Sequence, residues 1–278
     1  MKEDVTIALG QMSCRVGNKK HNIGVMKKKI AQAKKLRANI IAFPELSLTG
    51  YIVRDRAYEL AEQVPDGPSV QELASIAEKE DAHIIFGMIE KSAKASAVLH
   101  NTAVLVGPEG YIGKYQKMHL PTHSVFEEKR YFRPGYHAPV FKTEVGNVGM
   151  IICYDIYFSE VTRLLSLKGT NIIICISASP SVRKGFFEIL TAARAIENGV
   201  FLAFSNLAGI EDGLQFWGGS RIVAPSGSVI TQAKYDVDDL ISATINYSDI
   251  DRVQTWIPTL RDLRPEIFVS LKEEAENL

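Results

Sequence analysis

Short runs of β-branched and other apolar residues recur along the whole chain, at 5–9, 40–43, 83–88, 102–106, 148–153, 171–176, 200–205, 221–224 and 240–245. Several are apolar at consecutive positions, as in Asn171-Ile172-Ile173-Ile174-Cys175-Ile176. A strand with one wet face alternates polar and apolar residues. A continuous apolar strand has to be covered on both faces. The covers are visible between the runs. Ile23, Met26, Ile30, Ala33 and Leu36 recur at helical spacing, as do Val70, Leu73, Ala74 and Ala77, and Val161, Leu164, Leu165 and Leu167. The stretch 188–197 also reads as helix. Gly107-Pro108-Glu109-Gly110 and Pro225-Ser226-Gly227 read as hairpin turns joining 102–106 to 111–115 and 221–224 to 229–233. Strands mixed with helices, with no linker or repeat between them, predict one layered α/β domain over residues 1–278.

At 278 residues, folding buries roughly three quarters of the extended chain's surface, enough for a large core without staples. Lys and Arg number 32 and Asp and Glu number 32, so the chain lacks the net positive field of most nucleic-acid binders. The lysine-rich first helix then reads as a solvated face rather than a membrane or anion patch. No apolar run is long enough to cross a bilayer. Three cysteines, Cys14, Cys153 and Cys175, form no zinc-type pair and no disulfide framework. They fit a reducing compartment, and a cytoplasmic location is expected.

Three residues end apolar strands with chemistry unsuited to a core. Glu45 follows 39–43, Lys117 follows the hairpin strand 111–115, and Cys153 ends 148–153. Groups just past the strand ends of an α/β sheet converge on one rim, where sites are commonly built. A carboxylate, an ammonium and a thiol meeting there make a hydrolytic centre. The carboxylate takes the thiol proton, the thiolate attacks, and the ammonium lowers the thiol pKa and holds a developing oxyanion. Lys114 is the alternative cation if the register is shifted. His119 and His123 raise a Cys–His alternative, since His is the commonest general base.

The blocks Phe43-Pro44-Glu45-Leu46-Ser47-Leu48-Thr49-Gly50-Tyr51, Lys117-Met118-His119-Leu120-Pro121, Glu128-Lys129-Arg130-Tyr131-Phe132-Arg133-Pro134-Gly135 and Cys153-Tyr154-Asp155-Ile156-Tyr157-Phe158-Ser159-Glu160 resemble, in order and spacing, the signatures of the nitrilase, or carbon–nitrogen hydrolase, superfamily. The resemblance spans roughly the whole chain. It implies an α-β-β-α sandwich, no metal or organic cofactor, and pairing through helices into homodimers or larger homo-oligomers. By the same resemblance Glu45 is the general base, Lys117 the oxyanion-stabilising cation, Cys153 the nucleophile and Glu128 the second glutamate, which positions Lys117 and the substrate. The backbone N–H of Tyr154 joins Lys117 at the oxyanion. Asp155 is expected to support the turn after the nucleophile, and Cys14 and Cys175 to be packing thiols.

The Tyr154-Asp155 pair after the nucleophile resembles the amidase and carbamoylase branches, whereas true nitrilases usually carry Trp-Glu there. The expected reaction is hydrolysis of a small amide through a thioester, releasing ammonia. An N-carbamoyl hydrolase would release carbon dioxide as well, and a binding or regulatory protein on the same fold would turn nothing over. A glutaminase subunit would need a synthetase partner. Tyr157 stands where many relatives carry an Arg, which argues against an acidic substrate unless Arg54, Arg183 or Lys184 substitutes. Tyr51, Tyr154, Tyr157, Phe186, Phe187, Arg183 and Trp217 are the candidate substrate-binding residues. Residues 248–278 show no clear periodicity. Their apolar Trp256, Leu260, Leu263, Ile267 and Phe268 need burial, and this tail is expected to pack on a partner subunit.

Overall fold

All nine apolar runs become strands in the computed structural model, which describes residues 3–277. The first half runs β1 (Asp4–Leu9), α1 (Lys19–Lys35), β2 (Ile40–Ala42), α2 (Ala57–Leu60), α3 (Pro68–Glu80), β3 (His83–Lys91), β4 (Leu99–Gly107), β5 (Gly110–Gln116) and α4 (Glu128–Tyr131). The second runs β6 (Val140–Thr143), β7 (Gly146–Ile152), α5 (Ser159–Leu167), β8 (Ile172–Ser177), α6 (Lys184–Asn198), β9 (Phe201–Asn206), β10 (Ala208–Glu211), β11 (Leu214–Trp217), β12 (Arg221–Val223), β13 (Val229–Gln232) and β14 (Ile241–Asn246). Two helices follow, α7 (Ser248–Trp256) and α8 (Pro265–Glu276).

The strands form two six-stranded sheets, ordered β14-β1-β2-β3-β4-β5 and β13-β12-β9-β8-β7-β6, and a β10-β11 hairpin. Strands β1, β2 and β3 pair parallel in one sheet, and β7, β8 and β9 in the other. Side chains alternate across each strand. Val5, Ile7 and Leu9 of β1 therefore enter the core between the sheets, with Ile40, Met150 and Ile174, while Ala8, Ile41 and Phe86 pack outward against Ile23, Met26, Ile30, Val70 and Leu73 of α1 and α3. Val161, Leu165, Phe187 and Ala195 of α5 and α6 cover the other sheet. The result is an α-β-β-α sandwich.

The lysines of α1 do more than face solvent. Lys19 pairs with Glu62, Lys27 with Glu72, and the Nζ of Lys29 donates to the Asp239 carbonyl at 3.0 Å. Residues 248–276 correct the aperiodic reading of the tail. They hold two helices, helped by Asp249 and Asp251 in the first turn of one and Pro265 at the start of the other. Their pattern is weak because α7 buries only Ile250 and α8 buries nothing. Among the described residues, no helix is long and apolar enough to cross a membrane.

Candidate active site

Glu45, Lys117, Glu128 and Cys153 all lie at or just past element ends on one rim of the sandwich. Glu45 follows β2, Lys117 follows β5, Glu128 opens α4, and Cys153 follows β7. Gly87 permits the first placement. A Cβ there would lie 2.3 Å from the backbone nitrogen of Leu46, so only glycine lets the Glu45 loop pack down on β3.

Lys117 is fully buried, with its Nζ 2.7 Å from Glu45 Oε1 and 2.7 Å from Glu128 Oε1. Burial pulls the ammonium pKa down, but the carboxylates of Glu128 and Glu45 outweigh burial and raise it. Lys117 therefore stays charged. Glu45 is held on both oxygens. Asn101 Nδ2 donates to Oε1 and the Ala178 N–H to Oε2, each at 2.7 Å. Asn101 was not legible as a site residue; its one signal is a polar amide inside the apolar strand β4.

Burial raises the Glu128 carboxyl to about 7, against the opposing pull of Lys117. Its folded pKa thus exceeds the ordinary 4.5, so the folded chain binds this proton more tightly than the unfolded chain. The stability linked to this group is complete below pH 4.5 and is lost as pH rises through about 7. A Glu128→Gln protein is expected to lose that segment of the pH–stability curve, read from urea midpoints between pH 4.5 and 7.5 relative to the parent. Parallel curves for the two proteins would show that Glu128 titrates normally. The Tyr51 hydroxyl donates to Glu128 Oε1 at 2.6 Å, while Glu128 Oε2 is buried with no hydrogen-bond partner. Glu211, another residue the sequence did not reveal, accepts the N–H groups of Tyr51 and Ile52 at 2.8 and 2.9 Å and fixes that tyrosine.

Cys153 has φ of +46°, a left-handed conformation unusual for a residue with a Cβ, and it opens the tight turn Cys153–Tyr157. The buried Asp155 braces this turn. Its Oδ2 accepts from the Ile152 N–H at 3.1 Å and the Tyr115 hydroxyl at 2.8 Å, and its Oδ1 accepts from the His119 N–H at 2.9 Å. Lys117 lowers the thiol pKa, as expected, but it is not the dominant influence. Burial, then the Glu45 charge, push the thiol pKa well above the ordinary value, and Lys117 and the Ser177 hydroxyl only partly offset them. The surroundings of Cys153 thus favour the protonated thiol.

The thiol faces a chamber of about 20 Å³ lined by Pro121, His123, Phe126, Tyr154, Tyr157, Ser179, Pro180, Arg183 and Phe187. Of the three cations considered as replacements for an Arg at position 157, only Arg183 lines this chamber. It stands beside the Tyr157 hydroxyl, which has no well-formed hydrogen bond. Arg54 is paired with Asp212 in a separate cleft, and Lys184 lies over the Tyr235 ring. Lys114 pairs with Glu90 and is not the site's cation. Trp217 does not reach the chamber. It is 1% exposed in the core, stacked on Phe204, so its apolar bulk is spent on packing. Phe186 is exposed, packing its ring on Tyr157. His119 is held by Asp155 through Nδ1 and stacked on Phe158 outside the chamber, which removes it as base, whereas His123 is on the chamber wall. Cys175 is fully buried on β8, and Cys14 lies beside Ser47, its Sγ 3.4 Å from that carbonyl. Among the described residues, no group of three or more His, Cys, Asp or Glu side chains is placed to hold a metal ion.

This fold and site are those of a hydrolase of carbon–nitrogen bonds. The profile of the carbon–nitrogen hydrolase family matches residues 6–255, and the chain belongs to that family, within the nitrilase superfamily. It is 32% identical over 258 residues to the omega-amidase NIT2 of Xenopus tropicalis, covering 90% of this chain and 92% of that one. It is 30% identical over 270 residues to a probable nitrilase of Schizosaccharomyces pombe, covering 95% and 97%. The solved amidase of Nesterenkonia sp. AN1 superposes with a TM-score of 0.84 at 27% identity, covering 96% of this chain and 99% of that chain. A variant of that amidase shows covalent addition of the acetamide moiety of fluoroacetamide at its active-site cysteine, and superposes with a TM-score of 0.83. The protein is a carbon–nitrogen hydrolase.

Proposed function

We propose that the protein hydrolyses a small linear amide through a Cys153 thioester and releases ammonia. The observation that carries this reading is the buried Glu45–Lys117–Glu128 array, with 2.7 Å contacts from one ammonium to two carboxylates on the rim that also holds a left-handed Cys153. Glu45 takes the thiol proton as the sulfur bonds to the amide carbon, and the carbonyl π electrons move onto oxygen. Lys117 and the Tyr154 N–H hold that oxyanion. As it collapses, the C–N bond breaks and Glu45 returns its proton to the departing nitrogen, giving ammonia and a thioester. Glu45 then removes a proton from water as the water oxygen attacks the thioester. Collapse breaks the C–S bond, and the proton restores the thiol. The unpartnered Glu128 Oε2 is a ready acceptor for the substrate amide N–H, and Arg183 with the Tyr157 hydroxyl supplies donors for an oxygen on the acyl chain.

The test is ammonia release from a panel of amides, ureido compounds and nitriles, with Cys153→Ala protein as the blank. Ammonia from amides alone supports the reading, and carbon dioxide beside ammonia would move the substrate to an N-carbamoyl compound. Silence with a Cys153 that resists alkylation would replace catalysis with binding.

The assembly we propose is a homodimer or larger homo-oligomer. Trp256 is 79% exposed and Ile267, Val269 and Leu271 each more than half exposed on the two C-terminal helices, which calls for a cover that a second copy supplies. Light scattering at micromolar concentration is expected to give a multiple of the chain mass; a monomeric mass would refute this. Three free cysteines fit a reducing, cytoplasmic setting.

A further inference from the structure

The nucleophile's chamber is too small for a substrate. About 20 Å³ of space accommodates one or two water-sized groups, roughly the reacting carboxamide and the first atoms of its acyl chain. The remainder of any amide has to lie outside, and the walls decide where. Two clefts flank the site. The cleft of about 540 Å³ ends on Tyr51 and Glu128 and shares no lining residue with the chamber. The other, of about 560 Å³, shares Pro121, His123 and Tyr154 with it. The second cleft is therefore the one that adjoins the chamber.

The two clefts differ in charge. The first holds Glu127, Glu128 and Asp212, and its Arg54 is neutralised by Asp212. The second is lined by His119, His123, Lys129 and Arg133 and by no carboxylate. Neither Lys129 nor Arg133 has an acidic partner among the described residues. His119 has its Nδ1 engaged by Asp155, leaving Nε2 as its free ring nitrogen. The chamber is likewise free of acids and contributes Arg183. Glu128 and Lys129 are neighbours at the start of α4, so one short helix supplies a carboxylate to the catalytic array and a cation to the cleft.

Resting on the amidase reading, we infer that this cationic cleft is the subsite for an anionic extension of the substrate. The substrate is then an amide whose chain reaches out of the chamber and ends in a carboxylate or a comparable anion. Uncompensated surface cations attract such a group over several ångströms and orient the amide on entry.

The test uses the full chain, two primary amides of matched length, hexanamide and adipamic acid, and the double variant Lys129→Glu/Arg133→Glu. The parent is expected to prefer adipamate in kcat/KM. The double variant should lower the adipamate-to-hexanamide preference about tenfold or more, mainly through KM, since two charges are reversed beside the anion. An unchanged preference would overturn the assignment. If neither amide released ammonia, the hydrolytic reading would be at fault, and the cleft would be read by a second measurement, the protection of Cys153 from iodoacetamide. Saturable protection by adipamate, lost in the double variant, upholds the subsite. Protection absent or equal in both proteins overturns it, as does equal protection by inorganic phosphate, which would make this a site for a free anion.

Discussion

Cys153→Ala protein is expected to release no ammonia above blank from any amide the parent hydrolyses. The loss should be on the order of 10⁴-fold or greater, because no other group in the chamber replaces the sulfur as nucleophile. Cys175 lies in the core and Cys14 is not on the chamber wall, so neither thiol substitutes. Folding should survive, because the change removes a single buried sulfur and keeps a Cβ residue at the same left-handed φ. Intact-protein mass after mixing with substrate supplies a second reading. The parent should carry the acyl group as a thioester and the variant should not. Residual turnover in the variant above a few per cent would sink the proposed mechanism.

Lys117→Met is expected to damage both activity and stability. Loss of an oxyanion-stabilising group costs on the order of 10²- to 10³-fold in kcat. The stability loss has a different origin. Among the described residues, Lys117 is the only cation within 2.7 Å of both Glu45 and Glu128, and all three side chains are buried. Removing it leaves two carboxylates facing each other without compensation, a change worth about 3–5 kcal/mol when one partner of a buried ion pair is deleted. One carboxyl should respond by taking up a proton, so the variant's stability should improve as pH falls below neutrality. Urea midpoints at pH 5 and pH 8 check this. A variant as stable as the parent at pH 8 would show that the array is not held together by this ammonium.

The strand layout was legible because parallel strands buried on both faces have to be apolar almost throughout. The short edge strand β6 and the β10-β11 hairpin carry less of that pattern, and the C-terminal helices carry almost none because they bury little in their own chain. Glu45, Lys117 and Cys153 were legible as candidates because each ends an apolar run, and the motif resemblance singled them out and added Glu128. Their supports were not. Asn101 and Glu211 are polar residues in ordinary strands, and their value comes from what faces them across the chain, Glu45 at a separation of 56 residues and Tyr51 at 160. Trp217 shows the converse: an aromatic side chain looks the same in sequence whether it lines a pocket or fills a core.

By itself, then, the sequence determined the layered architecture, the rim on which the chemistry gathers, and the residues that bring a thiol, a carboxylate and an ammonium to it. The tertiary structure alone decided the direction of the thiol's pKa shift, upward, since burial and Glu45 together outweigh Lys117. It also decided which of three arginine or lysine candidates reaches the chamber, and which flanking cleft shares its walls. The reason is physical. Covering a strand depends on its own residue pattern, whereas a pKa or a pocket wall depends on distances between residues that only packing brings together.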